Sequence, residues 1–324
     1  MNILRQAASF FAAGLLILGS ATAFAQPAAA PRDAGAPVTV IRSQQYDFTS
    51  KINGRAYRIF IAKPLIPPPA TGYPVVYVFD ANAYFATTVE ASRGLSFGPE
   101  ARAAVIVGIG YPTDNLGATL SLRMKDMTTP ITPEAFAATR PGPGESAANT
   151  GGLDAYLQVI EQEVKPLVAR QMRIDPTDQT LFGHSLGGLA VLRALFTEPT
   201  AFRTFAASSP SIWWNSRAIL GDEPAFVARV ERLEVEPRIF IDVGGLEQTS
   251  LAAAPGMTLA ESQAAAEKFR MVGNAQELGA RLAAVKGGPH YQVSTHVFPD
   301  ETHMSVIPAA TSRALRFALD PKVR

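Results

Sequence analysis

The segment Gly183-His184-Ser185-Leu186-Gly187-Gly188 is the part of this chain best suited to chemistry. Thr180-Leu181-Phe182 before it reads as a strand and Leu189 to Phe196 after it as a helix. Ser185 therefore falls on the sharp strand-to-helix turn that a G-x-S-x-G nucleophile motif requires. A serine held on such a turn has a strained backbone, and glycines two positions to either side let strand and helix come close. The same turn aims the free N–H groups of the helix start, that of Leu186 first, at an oxyanion forming beside Ser185.

A serine hydroxyl is a poor nucleophile until a base takes its proton. The chain has four histidines. His184 adjoins the nucleophile, but neighbouring side chains diverge on a sharp turn, so it is expected to pack or hydrogen-bond locally. His290 follows Gly287-Gly288-Pro289, and His296 lies inside the last predicted strand, Tyr291 to Phe298. His303 sits in Pro299-Asp300-Glu301-Thr302-His303, between that strand and the last helix, where the C-terminal edge of a parallel sheet presents its loops. The order Ser185, acid, His303 is the hydrolase order, so His303 is the predicted base. The acid is expected after the strand Arg238 to Val243, where Glu247 is the first choice and Asp242 the reserve. A second oxyanion donor is expected from the backbone N–H of Ala81 or Asn82, after the strand Val75 to Phe79. A zinc site built from His290, His296 and His303 is a competing reading, but the spacing fits no zinc-ligand pattern.

The elements that must position these groups follow from hydrophobic patterning. Val38 to Ile41 and Tyr57 to Ile61 alternate as half-buried strands and flank the turn signal Asn53-Gly54, which predicts an antiparallel start. Val75 to Phe79, Ala104 to Ile109 and Ile239 to Ile241 are continuous apolar runs, as expected of strands covered on both faces in a parallel sheet. Helices are predicted at Leu153 to Met172, Leu186 to Phe196, Glu223 to Leu233, Ser262 to Val285 and Val306 to Leu319. The alternation gives an α/β fold: a mostly parallel sheet with an antiparallel N-terminal edge and helices on both faces. Prolines and glycines in Thr128 to Gly152 argue against a stable helix or strand there, and loops of that length are usually functional.

Composition narrows the chemistry further. Only 18% of the 324 residues are charged and 47% are hydrophobic, so a large core is expected. A formal charge of +1 leaves no field for a nucleic acid. The absence of cysteine excludes disulfides, thiolate metal sites and cysteine nucleophiles. Arg5, the apolar run Phe10 to Leu18 and Ala23-Phe24-Ala25 read as a cleavable signal peptide over residues 1–25, too short for a membrane span. Residues 26–37 read as a disordered leader and 38–324 as one catalytic domain. Export to the periplasm or medium is expected, and loss of Arg5 makes the mature chain formally neutral.

The stretches Tyr73 to Phe85, Val107 to Asn115, Gly183 to Gly188, Ala207-Ser208-Ser209-Pro210-Ser211-Ile212-Trp213-Trp214, Val243 to Gln248 and Phe298 to Ala309 resemble the esterase D family. The likeness is greatest to its periplasmic siderophore esterases acting on enterobactin-type trilactones. That resemblance implies an α/β-hydrolase fold, serine esterase activity, no metal and no cofactor, and a small-molecule ester as partner. Feruloyl or other acyl esters, or acyl transfer on the same fold, are alternatives within the wider family. A non-catalytic periplasmic binding protein on a hydrolase scaffold is an alternative of another class. A ferric triscatecholate is an aromatic trianion, so Trp213, Trp214, Arg123, Arg217 and Arg93 are the expected substrate-binding candidates.

Overall fold

Strands β3 (Tyr73–Val78), β4 (Val105–Gly110), β6 (Thr204–Ser208) and β7 (Arg238–Gly244) are buried at every position. The unbroken apolar runs split between two cores. Val75, Tyr77, Val107, Leu181, Phe205 and Ile241 face one side of the sheet, while Val76, Val78, Ile106, Phe182, Ala206 and Phe240 face the other. Each strand residue thus alternates between cores, and a slip of one position would exchange both sets at once. This pins the register, with each such side chain worth about 1.5–3 kcal/mol when fully buried.

The computed structural model describes residues 37–139, 146–251, 253 and 256–323. The expected signal peptide and the leader up to residue 36 lie outside the described residues, as does the 140–145 part of the proline-rich stretch. Thr39–Arg324 forms one compact unit. With β1 (Ser43–Thr49), β2 (Ala56–Ala62), β5 (Ile174–His184) and β8 (Gln292–Phe298), the strands form a sheet of order β1-β2-β4-β3-β5-β6-β7-β8. The pairs β1·β2 and β2·β4 are antiparallel and all others parallel. The mixed α/β sheet read from the sequence is therefore present, with its antiparallel N-terminal edge. The first strand lies at Ser43–Thr49 rather than Val38–Ile41, because Arg42 takes a left-handed conformation (φ 54°) that ends any strand before it.

Helices α1 (Ala81–Phe97) and α11 (Val306–Ala318) pack together on one face. The opposite face carries α4 (Leu153–Val159), α5 (Lys165–Gln171), α6 (Leu186–Thr197), α8 (Glu223–Glu231) and α10 (Met271–Ala283). A π-turn over Ile160–Val164 joins α4 to α5 just before Pro166, whose ring lacks an N–H and crowds the carbonyl one turn back. The predicted helix Ser262 to Val285 is instead two, α9 (Leu259–Phe269) and α10, because Arg270 is left-handed (φ 48°). The proline-rich stretch is not wholly irregular. After α2 (Leu116–Asp126) comes the short α3 (Pro133–Ala137), with Thr132 accepting from Ala135 N–H and Pro133 at its first turn. The remaining element, α7 (Trp214–Arg217), is a single irregular turn. Among the described residues no helix is long and apolar enough to cross a membrane.

The C-terminal ends of β3, β5, β6, β7 and β8 all open on one edge, and their following loops carry Asp80, Ser185, Ser209, Glu247 and His303. Glycine is what lets β5 run into α6 there. A Cβ on Gly183 would stand 2.4 Å from Gly187 O, and one on Gly188 would stand 2.8 Å from Ser208 O. Backbone cannot yield as a flexible side chain does. Gly183→Ala is accordingly expected to lower stability by about 1–3 kcal/mol, read as a fall in the urea midpoint with the slope unchanged. An unchanged midpoint would show that the elbow tolerates the methyl group.

Candidate active site

Ser185 occupies the turn between β5 and α6 with φ 60° and ψ −119°, a conformation costly for any residue with a side chain. Three backbone hydrogen bonds hold it there: Ser185 N–H donates to Ser208 O at 3.0 Å, while Ser211 N–H (3.1 Å) and Leu189 N–H (3.0 Å) donate to Ser185 O. The strain places Oγ 3.0 Å from His303 Nε2. His303 Nδ1 in turn lies 2.6 Å from Glu247 Oε2. Three residues from three separate strand-end loops thus form one hydrogen-bonded line.

Glu247 is fixed by groups other than the histidine. Its side chain is 1% exposed, and Oε1 accepts from Gly244 N–H at 2.6 Å and from Ser209 Oγ. The other oxygen, Oε2, is left for His303, so the carboxylate holds the imidazole by Nδ1 and leaves Nε2 toward the serine. The glycine before it matters, since a Cβ on Gly244 would meet Glu301 O at 2.5 Å and push away the loop that carries His303.

Asp242, the reserve acid, does not touch His303. It is fully buried, and its Oδ1 lies 2.8 Å from Ser208 Oγ, which lies 3.2 Å from His184 Nδ1. The His184 ring, 3% exposed, packs on the His303 ring at 4.6 Å and edge-on to Tyr84 at 6.4 Å. Asp242, Ser208 and His184 therefore form a second buried line behind the first. Burial without a cation pushes Asp242 up to about 8; Ser208 offsets part of this and the Glu247 charge adds to it. Burial also drives His184 well below the ordinary histidine range, with the His303 and Arg123 charges acting in the same sense. Both groups are neutral near pH 7, so the second line carries no charge to oppose a protonated His303.

Leu186 is the first residue of α6, so its N–H has no intrahelical acceptor. The segment Asp80 to Phe85, read from the sequence as a loop, is the start of α1, entered through a left-handed Asp80 (φ 55°). Asn82 is the second residue of α1, ahead of Ala83 and Tyr84, whose N–H groups donate to Asp80 O. The Asn82 side chain donates to Tyr111 O and Thr113 O at 2.9 Å and accepts from Tyr111 N–H at 2.8 Å. The two helix starts are neighbours: a Cβ on Gly187 would lie 3.3 Å from Phe79 Cβ and 3.5 Å from Asp80 Oδ2.

Two expected substrate contacts are corrected. Arg123 is committed to Asp80 through a two-pronged pair at 2.8 and 2.9 Å, which ties α2 to the start of α1. It braces the start of α1 and is not a free cation. Trp214 is 2% exposed, its Nε1–H donating to Thr129 O at 3.3 Å and its ring edge-on to Phe136, so it belongs to the core. Arg93 is also elsewhere, paired with Glu90 at 2.8 Å and with Ile41 O. Trp213 is half-buried and stacks on Phe269 at 4.4 Å, and Arg217 is exposed on the same rim. His290 is exposed with its N–H on Glu236, and His296 packs against Phe298, so neither shares the His303 contacts. Sequence reasoning gave no role to Ser209, which fixes Glu247, or to Ser211, whose Oγ is 3.4 Å from Ser185 Oγ.

Comparison with known proteins finds related chains. The Esterase family profile matches residues 50–294. The ferri-bacillibactin esterase of Bacillus subtilis is 41% identical over 276 residues, covering 84% of this chain and 88% of the relative. The siderophore triacetylfusarinine C esterase of Aspergillus fumigatus is 34% identical, covering 87% and 95%. Among solved structures, the BES protein of Bacillus cereus superposes with a TM-score of 0.71 at 32% identity, covering 89% of this chain and 99% of that one. The fold is α/β-hydrolase-like.

The neutrality of Asp242 has a measurable consequence. An unfolded aspartate loses its proton near pH 4, whereas the folded group holds its proton up to about 8. Between those limits the folded state binds the extra proton, so its stability falls as pH rises and levels off above the window. Asp242→Asn cannot ionise and removes that fall. Its melting temperature relative to wild type is expected to move in the variant's favour between pH 5 and pH 8. An identical offset at both pH values would show that Asp242 is charged in the folded protein.

Proposed function

The chain belongs to the Esterase family, and on that premise we propose that this serine esterase hydrolyses ester bonds of siderophores, with Ser185 as nucleophile. The continuous line from Ser185 through His303 to Glu247 carries the chemical part of the reading. Similarity to a ferri-bacillibactin esterase and a triacetylfusarinine C esterase supports the substrate class.

In this mechanism His303 Nε2 takes the Ser185 proton as Oγ attacks the ester carbonyl. Glu247 orients the ring through Nδ1 and stabilises the imidazolium that forms. The N–H of Leu186 and the N–H of Asn82 receive the tetrahedral oxyanion, with the positive ends of α6 and α1 adding to them. His303 then protonates the leaving alkoxide, giving the alcohol product. Water, deprotonated by the same nitrogen, cleaves the acyl-enzyme and releases the carboxylic acid.

Residues 1–25 are proposed as an export signal, which places the enzyme in the periplasm or medium, and Gln26 is then the first residue of the mature chain.

A fluorophosphonate is expected to label Ser185 and no other residue, with hydrolysis of enterobactin-type trilactones and short p-nitrophenyl esters lost in parallel. Ser185→Ala and His303→Ala should lower kcat by about 10⁶-fold, and Glu247→Ala by about 10⁴-fold. A Glu247→Ala enzyme at wild-type rate would remove that residue from the mechanism. Activity on short esters with none on any siderophore ester would overturn the substrate class while leaving the esterase chemistry.

A further inference from the structure

Strand β8 (Gln292–Phe298) ends the sheet: β7 lies on one side of it and, among the described residues, no strand lies on the other. Two backbone bonds at its ends fix which residues face inward. Gln292 N–H donates to Pro237 O at 3.4 Å, and Phe298 O accepts from Gly245 N–H at 2.7 Å. In a parallel pair one residue turns both its N–H and its C=O to the neighbouring strand and the next turns both away. Gln292, Ser294, His296 and Phe298 therefore bond to β7, while Val293, Thr295 and Val297 present their N–H and C=O groups outward. Such a row of free groups is a template for another strand, and edges are usually blunted by charge, proline or a covering element.

β8 carries neither charge nor proline. Its seven residues read Gln-Val-Ser-Thr-His-Val-Phe, and the three outward ones are all β-branched. Burial and the Arg313 charge hold His296 below the ordinary histidine range, so it too is neutral near pH 7. The other lateral strand, β1, differs in carrying Asp47, which pairs with Arg58 at 2.7 Å. Helix α10 lies close over β8, since a Cβ on Gly279 would stand 2.0 Å from Thr295 Oγ1, yet Thr295 is exposed. Gln276 and Ala283, three and four residues from Gly279 and so on its side of the helix, are exposed and uncharged. The charged residues of α10 turn elsewhere, Glu277 to Arg270 and Arg281 to Glu223.

The outward row is also self-complementary. Val293, Thr295 and Val297 read the same in both directions about Thr295. A two-fold axis through Thr295 sets a second β8 antiparallel to the first, with Thr295 opposite Thr295 and each Val293 opposite a Val297. All of these are outward residues, so each pair exchanges two hydrogen bonds, about six in total. Ser294 then stands opposite His296, and no like charges meet. Beyond the strands, the same operation brings the loop before β8 in one copy beside the loop after β8 in the other. The first carries Lys286 and the second Asp300, neither of which has an ion-pair partner among the described residues.

We infer that the occupant of this edge is a second copy of the chain, joined β8 to β8 about Thr295 so that one continuous sheet runs through a two-fold dimer. The C-terminal ends of the two strands point in opposite directions, so the two Ser185 sites open on opposite sides. The loop carrying His303 begins just after Phe298, so the strand that joins the copies is also the one that delivers the base.

Sedimentation velocity of the purified protein is expected to show a dimer with a Kd of about 10 μM or tighter. Thr295→Pro removes one outward N–H per copy and none that faces β7, a change an edge strand accommodates. This variant is expected to keep the wild-type far-UV circular dichroism and to raise Kd at least about tenfold. If the proline variant does not fold, Thr295→Lys takes its place, since it sets two like charges opposite each other at the axis and should raise Kd in the same way. Hydrogen exchange of the wild type needs no variant: the amides of Val293, Thr295 and Val297 should exchange at least about tenfold more slowly in the dimer than in the diluted monomer. A monomer at concentrations up to about 100 μM would overturn the inference. So would an unchanged Kd in a folded Thr295 variant, or a dimer whose β8 amides exchange as fast as those of the monomer.

Discussion

The Glu247 carboxylate is the point on which the catalytic edge depends. It accepts from Gly244 N–H behind it, from Ser209 Oγ beside it and from His303 Nδ1 in front, and so ties the loops after β6, β7 and β8 together. A buried carboxylate is expensive unless its lone pairs are used, and here donors from three loops use them. The same requirement fixes His303 in one tautomer and orientation, which is what gives Ser185 a base. Close approach of the β8–α11 loop to Gly244 and of Gly183 to Gly187 are the steric conditions under which these loops meet.

Behind this line the chain places a second set of similar groups and keeps them neutral. Asp242, Ser208 and His184 repeat the acid, hydroxyl and imidazole types, yet burial disfavours the charged forms of Asp242 and His184. The difference is one of hydrogen-bond supply. Glu247 has three donors on its two oxygens, while Asp242 has Ser208 at one oxygen and none at Oδ2. A second anion beside Glu247 would compete for the His303 proton, and a second cation at His184 would oppose its arrival. Neutral packing supports the reacting imidazole without altering the direction of proton flow.

The legible parts of the sequence are those governed by backbone rules. The parallel strands showed as apolar runs because both faces are covered, and Ser185, Glu247 and His303 were placed by their position after strand ends. Helix α1 was hidden because its buried stripe, Ala81, Phe85, Thr88, Val89 and Ser92, includes two hydroxyl residues that break the apolar period. The division between α9 and α10 was hidden because Arg270, not glycine, adopts the left-handed cap. Long-range side-chain pairings leave no periodic trace. Asp80 with Arg123 and Ser209 with Glu247 are separated by 43 and 38 positions. The expected roles of Arg123 and Trp214 failed for that reason, since residue type suggested recognition while their partners, Asp80 and Thr129, commit them to structure.

Those commitments separate the electrostatics into zones. Close to Ser185 the one arginine is already committed: Arg123 is paired with Asp80, and the Glu247 carboxylate is hydrogen-bonded to His303. In the proposed mechanism the oxyanion is left to the pair of helix starts, whose N–H groups are fixed and need no reorganisation when charge develops. An unpaired arginine at that position would hold an anionic substrate as strongly in the ground state as in the transition state, lowering KM without raising kcat.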